Sequence, residues 1–309
     1  MDGWKFLQEG DLIDVVAPGY PSKPQEVEGA EAFLLKWNLR PRIPKGIIRP
    51  HFLHAHEDEA RIAFLKKAIE AKDSQVIWCL RGGYGSNRLL PALAKMKKPR
   101  QKKLLIGISD ISSLHTFVTQ EWGWQTLHGP LLDRMGRNLV APKYEKEMHR
   151  LLFGQDHTVI FKGLTPLNAA AKKKKRIKSK VVGGNLTVLQ STLGTPWQVN
   201  ADGSFLFLED IGERGYRIDR MLEQMRQAGV FKKCHGILLG DFIGGAEPAT
   251  GKDNFNLVWK RWAQDLQIPL YKGMQAGHAD IQRPVPFNTP CELILEGQKA
   301  VLTISSGGK

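Results

Sequence analysis

Residues 103–121 read KLLIGISDISSLHTFVTQE. An apolar run of strand length, Lys103–Ile108, passes directly into a stretch of helical character from Ile111 to Glu121. A serine and an aspartate stand at the junction. The same alternation recurs upstream. Asp11–Ala17 (DLIDVVA) reads as a strand stopped by Pro18-Gly19. Glu57–Ala71 sets Ala60, Ile62, Leu65 and Ile69 on one side of a helix, and Gln75–Leu80 (QVIWCL) is a second buried strand. Strands alternating with helices predict an α/β domain with a parallel sheet. Such sheets collect functional groups at the carboxyl ends of their strands, so the loops beginning at Arg81 and Ser109 are the ones to inspect.

Beyond residue 150 the pattern changes. Gly154, Gly163, Pro166 and a lysine run punctuate residues 155–180. This predicts an amino-terminal domain over 1–155, a basic linker over 156–180 and a carboxy-terminal domain over 181–309. In the last, Gly183-Gly184-Asn185-Leu186 opens a helical stretch reaching Leu193, which Gly194-Thr195-Pro196 stops. Ser204–Leu208 (SFLFL) is a strand ending in Glu209-Asp210, a position that can hold a carboxylate without full burial. Tyr216–Ala228 is a helix closed by Gly229, and Gly236–Gly240 (GILLG) is another strand. Glu292–Leu295 and Lys299–Ile304 flank Glu296-Gly297-Gln298, a terminal hairpin.

The 309 residues suggest two domains, at roughly 100–200 residues each. Apolar residues are 42% and charged residues 25%, which excludes a disordered, collagen-like or disulfide-miniprotein chain. No apolar run approaches the ~20 residues that span a bilayer. Met1-Asp2-Gly3-Trp4-Lys5 lacks the basic-then-apolar plan of a signal peptide. No membrane partner is expected. Cys79, Cys234 and Cys291 have neither disulfide nor zinc spacing and read as buried thiols of a cytoplasmic protein. No H-E-x-x-H occurs, and His51, His54 and His56 read as a solvated helix start, so no metal is expected. The net charge is +14. Lys172–Lys180 (KKKKRIKSK) carries seven basic residues, but no aromatic residue interleaves and no zinc-finger, RRM or helix-turn-helix signature accompanies it. It reads as a solvated, mobile segment, and no nucleic acid is expected.

Four features can carry chemistry. Gly107-Ile108-Ser109-Asp110-Ile111 has the layout of a nucleophile elbow, in which a tight strand-to-helix turn exposes a hydroxyl beside the first helical N–H groups. Ile111 stands where the usual pattern has a second glycine, and a serine that merely caps the helix fits the pentapeptide too. Arg81-Gly82-Gly83-Tyr84-Gly85-Ser86 follows a buried strand. It is either an anion-stabilising loop, a loop presenting Ser86, or only a tight turn. Glu209 at a strand end and His278 in the loop Gly277–Asp280 could complete a set, because a serine hydroxyl needs a base and a histidine base needs an orienting carboxylate. His115 reads as helix packing and His128 as pocket lining.

Taken together, RGGYGSNRLLP (81–91), GISDISSLH (107–115), LHGP (127–130), GGNLTVLQSTLGTP (183–196), FLEDIGERGYRIDRML (207–222) and GHADIQRPVP (277–286) resemble the LD-carboxypeptidase family of serine peptidases. This family includes murein tetrapeptide carboxypeptidases and microcin C immunity peptidases. The resemblance runs in order along nearly the whole chain. It implies a doubly wound amino-terminal α/β domain, a smaller β-rich carboxy-terminal domain, a homodimer, and an active site between the domains that needs no cofactor. It implies Ser109 as nucleophile rather than Ser86, Glu209 as orienting carboxylate, His278 as base, and the N–H groups of Gly83 and Asp110 as oxyanion donors. Gly82 and Tyr84 would line the substrate, and Arg81 or Arg217 would contact its free carboxylate. The substrate so implied is a murein peptide that loses its terminal D-alanine. The absence of a tryptophan in the linker disfavours the alternative, an aminoacyl nucleotide. A murein- or nucleic-acid-binding protein that has kept only the fold is the rival of a different class. The chain departs from the family at Ser112, where threonine is usual, at Gln282, where asparagine is usual, and at Asn288, where glycine is usual. Asparagine tolerates positive φ, so that turn is expected to survive.

Overall fold

A computed structural model describes residues 4–309. Met1–Gly3, part of the stretch read above for a leader signal, lie outside the described residues. The alternating half folds as its pattern predicts. Strands β1 (Leu12–Val16), β2 (Arg40–Arg42), β3 (Ser74–Cys79), β4 (Leu104–Gly107) and β5 (Thr126–His128) pair in parallel, in the order β5-β4-β3-β1-β2. Both faces of this sheet are covered. Val76 and Trp78 of β3 pack into one apolar cluster, and Ile77 and Cys79 pack into another. A strand buried on both faces needs no polar alternation, which is why β3 and β4 read as continuous apolar runs.

The second half is a closed barrel. Strands β6 (Thr158–Pro166), β7 (Arg176–Asn185), β8 (Phe205–Ile211), β9 (Gly236–Ile243), β10 (Leu270–Lys272), β11 (Val285–Phe287), β12 (Pro290–Glu296) and β13 (Lys299–Ser305) follow in the chain. All except β11 close the ring β10-β6-β13-β12-β7-β8-β9. Phe205 and Phe207 of β8 point into the cluster shared with the sheet domain. Leu206 and Leu208 face a separate cluster beneath the helices Gly215–Gln227 and Phe255–Asp265. Strand β11 leaves the barrel and adds antiparallel to the edge of the parallel sheet, with Val285 opposite His128. The α/β sheet domain and the smaller β-rich domain are thus joined by a shared core and a shared sheet edge.

The stretch 156–180, expected as a linker, is instead part of the barrel. It contains β6, the short helix Ala169–Lys173 and the start of β7. Lysine density hid a period of two. Ile177 is buried, while Arg176, Lys178 and Lys180 on either side of it are exposed. Arg176, Lys178 and Lys180 are therefore one outward face of a paired strand, while Lys172 and Lys173 end the short helix before it, and Arg176 is held by Glu292 at 2.7 Å. Strand β8 also outruns its expected end, so Glu209 and Asp210 lie within it. The three cysteines are buried free thiols. Among the described residues no helix is long and apolar enough to cross a membrane.

Candidate active site

Strand β4 delivers the chain to Ser109 in an extended conformation, and the helix Ser112–Glu121 leaves just beyond it. The reversal falls on one residue. Ser109 has φ +66°, in the left-handed region that costs an L-residue about 1–2 kcal/mol. Two glycines make the bend possible. A Cβ on Gly82 would stand 2.9 Å from the Ser109 Cβ, and a Cβ on Gly107 would stand 2.9 Å from the Ile111 side chain. The missing second glycine of the elbow pattern is thereby compensated, since Gly107 leaves the space that Ile111 fills. His115 supports the turn from below through a 2.8 Å hydrogen bond to the Gly107 carbonyl. Burial pushes its pKa down to about 3, so it is neutral and donates this bond.

Asp110 ties the elbow to the glycine-rich loop. Its buried carboxylate accepts the N–H groups of Gly85 at 3.2 Å and Ser86 at 2.8 Å. The Ser86 hydroxyl donates to the Asp110 carbonyl. Ser86 is fully buried, so the loop does not present it as a nucleophile. The buried Arg61 guanidinium holds the same loop through the Gly85 carbonyl at 2.9 Å. Among the described residues the N–H groups of Gly83 and Asp110 have no backbone partner.

The third element comes from the barrel. The two-residue period of β8 places Glu209 on the inner face after Phe205 and Phe207. Contrary to the sequence expectation, it is completely buried. His278 Nδ1 lies 2.6 Å from Glu209 Oε2. Burial would push the Glu209 carboxyl up, but the His278 and His128 imidazoles hold it down at about 2. Burial would likewise push the His278 imidazole down, but the Glu209 carboxylate raises it above its ordinary value. The loop bearing His278 is pinned by Asp241, whose carboxylate accepts the Ala279 N–H at 3.3 Å. Burial lifts Asp241 to about 6, and Glu209 adds to the rise. Gly277, at φ +136°, passes so close that a Cβ there would stand 3.0 Å from Glu209 Oε2.

The Glu209–His278 pair reaches the sheet domain close to Ser109. Glu209 Oε1 is 3.8 Å from Nε2 of His128, and His128 pairs across the sheet with Gly107, two residues before Ser109. Asn185, opposite Glu209 on β7, donates its N–H to Ser112 Oγ at 2.9 Å. Among the described residues no hydrogen bond joins Ser109 to His278.

Models of the amino- and carboxy-terminal domains of LD-carboxypeptidases match residues 13–129 and 178–293 respectively. The chain belongs to the LD-carboxypeptidase family. It is 31% identical over 301 residues to the "probable murein peptide carboxypeptidase" of Bacillus subtilis, covering 96% of this chain and 93% of that one. It is 32% identical over 254 residues to the murein tetrapeptide carboxypeptidase of Pseudomonas aeruginosa, covering 78% of each. The crystal structure of the muramoyltetrapeptide carboxypeptidase of Oxalobacter formigenes superposes with a TM-score of 0.82 at 26% identity, over 95% of this chain and 98% of that one. Membership supports a serine-type carboxypeptidase.

Other residues expected at this LD-carboxypeptidase site have partners of their own. Arg81 is bound by Glu26 at 3.0 Å and lies over the Tyr20 ring. Arg217 is bound by Glu213 at 3.4 Å and by the Tyr216 hydroxyl at 3.2 Å. Tyr84 is largely exposed and packs on His54. His54 is buried, so the histidine cluster is only partly solvated. Asn288 takes φ +58°, the turn that asparagine in place of glycine predicts. Sequence reasoning missed Asp241, and it missed that the Asp110 side chain works as a brace. The Asp241 signal was available as an acid on the β9 strand next to β8. The Asp110 signal was not, because its partners Gly85 and Ser86 lie about 25 residues away.

Proposed function

We propose that the protein is a serine carboxypeptidase that hydrolyses the L,D-peptide bond of a murein tetrapeptide and releases its terminal D-alanine. The observation that carries this reading is a left-handed serine at a strand-to-helix bend, in a chain of this family whose buried Glu209 holds the His278 imidazole. Ser109 is the nucleophile. Glu209 accepts the His278 Nδ1–H, which leaves the Nε2 lone pair as the base. His278 takes the Ser109 proton as the oxygen attacks the scissile carbonyl. The N–H groups of Gly83 and Asp110 meet the oxyanion, at about 3 kcal/mol per donor. His278 then protonates the leaving D-alanine nitrogen as the C–N bond breaks. Water, deprotonated by the same imidazole, cleaves the acyl-enzyme and frees the shortened peptide and Ser109.

Among the described residues His278 bonds Glu209 and not Ser109; catalytic hydrogen bonds often tighten only in the complex. The sheet domain supplies the nucleophile and the barrel supplies the carboxylate and base. The family resemblance extends the reading to a cytoplasmic homodimer acting in murein turnover. The test is mass spectrometry of murein tetrapeptide incubated with the wild type and with Ser109→Ala. Loss of one alanine residue with the wild type alone is expected. Equal trimming by both proteins sinks the nucleophile assignment, and cleavage of an aminoacyl nucleotide in place of the peptide overturns the substrate.

A further inference from the structure

A carboxypeptidase must distinguish a chain end from a chain interior, and a cation that meets the substrate's terminal carboxylate does so directly. The two arginines the sequence suggested are already engaged by Glu26 and by Glu213. A third is placed differently. Arg134 sits in the short helix Leu132–Gly136, which begins beside the carboxyl end of β3, where the Asp133 N–H bonds the Leu80 carbonyl at 3.0 Å. Its Nε donates to Gln282 Oε1 at 3.1 Å, and Gln282 lies four residues beyond His278. Arg134 therefore spans from the side of the glycine-rich loop to the loop of the base. Among the described residues its two terminal nitrogens meet no anion. Beside it, the buried Gln282 side chain keeps its amide nitrogen without a partner. A buried donor left unpaired is unfavourable, so an acceptor that reaches this spot is favoured.

Chemistry places the substrate's carboxylate on the same side. In the leaving D-amino acid, the carboxyl carbon is two bonds from the nitrogen that His278 protonates, so the carboxylate must lie near the imidazole. Arg134 is near enough to His278 for its positive charge to oppose protonation there. We infer that Arg134 and Gln282 form the subsite for the terminal α-carboxylate of the leaving residue. The guanidinium supplies the charge and the amide nitrogen supplies a second donor. A planar guanidinium held at Nε leaves its other edge for a carboxylate. The inference rests on the proposed peptidase reaction and adds the determinant of its chain-end specificity.

The test compares tetrapeptides ending in D-alanine and in D-alaninamide, with KM and kcat measured separately. The wild type should prefer the free acid at least tenfold in kcat/KM. Arg134→Gln should bring that ratio close to unity, mainly through a higher KM for the acid, and Arg134→Lys should recover part of it. Gln282→Leu should lower the ratio less. Inhibition of the wild type by free D-alanine but not by D-alaninamide reads the same subsite without any substitution. An unchanged ratio in Arg134→Gln, in protein with a wild-type melting temperature, overturns the assignment. So does equal inhibition by the two amino-acid forms. A wild type that cleaves both peptides equally removes only this subsite, whereas a wild type that cleaves neither removes the proposed function itself.

Discussion

His278 Nδ1 and Glu209 Oε2 lie 2.6 Å apart, although the two residues are 69 positions apart in the chain. The carboxylate is completely buried and the imidazole is partly open. This asymmetry sets the tautomer. The buried edge of the ring must carry the proton that the carboxylate accepts, and the open edge keeps its lone pair.

The pair makes a prediction for pH. Glu209 raises the His278 pKa above its ordinary 6.5. The base must be neutral, so the acid limb of kcat/KM should have its midpoint above 6.5, with activity falling as pH drops through it. Glu209→Gln should move that midpoint down and cut kcat on the order of 10³–10⁴-fold, the effect of spoiling the tautomer in related triads. The stability signs follow separately. A raised histidine contributes stability that is complete below about 6.5 and is lost as pH rises through the folded value. The depressed Glu209 contributes above 4.5 and loses that contribution as pH falls toward about 2. Thermal melts of the wild type and Glu209→Gln across pH 3–9 should therefore differ most in the mildly acidic range. A pH-independent difference would contradict the linkage.

Ser109 is strained for the sake of its hydroxyl. Glycine adopts φ +66° freely, so Ser109→Gly should abolish turnover while stabilising the fold by up to about 1 kcal/mol. For a chain of 309 residues that is a rise of up to roughly 1.5 °C in melting temperature. A melting temperature that falls on this change would show that Ser109 makes contacts worth more than the strain.

Gly82→Ala should act in the opposite sense. The added methyl would meet the Ser109 Cβ at 2.9 Å and the Ile108 carbonyl at 3.2 Å, and neither belongs to a flexible chain end. The elbow must shift, and a displacement of about 1 Å at reacting atoms can cost on the order of 10²-fold. Steady-state kinetics should show the loss in kcat, with circular dichroism unchanged. Wild-type kcat in this variant would mean that the elbow has room to spare.

Asp110→Ala removes the acceptor of two buried N–H groups, those of Gly85 and Ser86. Each buried donor left unpaired costs about 1–3 kcal/mol, so denaturant melts should show roughly 2–5 kcal/mol of lost stability. The glycine-rich loop carrying Gly83 should also loosen, seen as faster amide exchange across residues 82–86. Unchanged exchange there would argue that Arg61, not Asp110, holds the loop.

Much of this was legible in the chain. Strands β1, β3 and β4 of the parallel sheet announced themselves as short apolar runs, and the elbow because apolar strand, serine and helix start are contiguous, whereas β2, Arg40-Pro41-Arg42, carries no such signal. The barrel was harder. In the first half of β7 the buried face is a single isoleucine, Ile177, among lysines, so local composition outweighed the period that betrays a strand. The burial of Glu209 was misjudged because it depends on how far β8 extends and on what packs over its end, which are not local properties.

The amino-acid order by itself determined the α/β plan of the amino-terminal half, the contiguity of strand, serine and helix start at Ser109 and the residue types a serine hydrolase requires, since these follow from periodicity and from patterns within a few residues. Only the tertiary structure decided that Glu209 and His278 meet, that Asp110 braces the loop of Gly83, that β11 fastens the loop of the base to the sheet, and that Arg134 meets Gln282. Those facts depend on contacts between segments tens to hundreds of residues apart. Such contacts are set by the packing of whole faces, which no local stretch of sequence encodes.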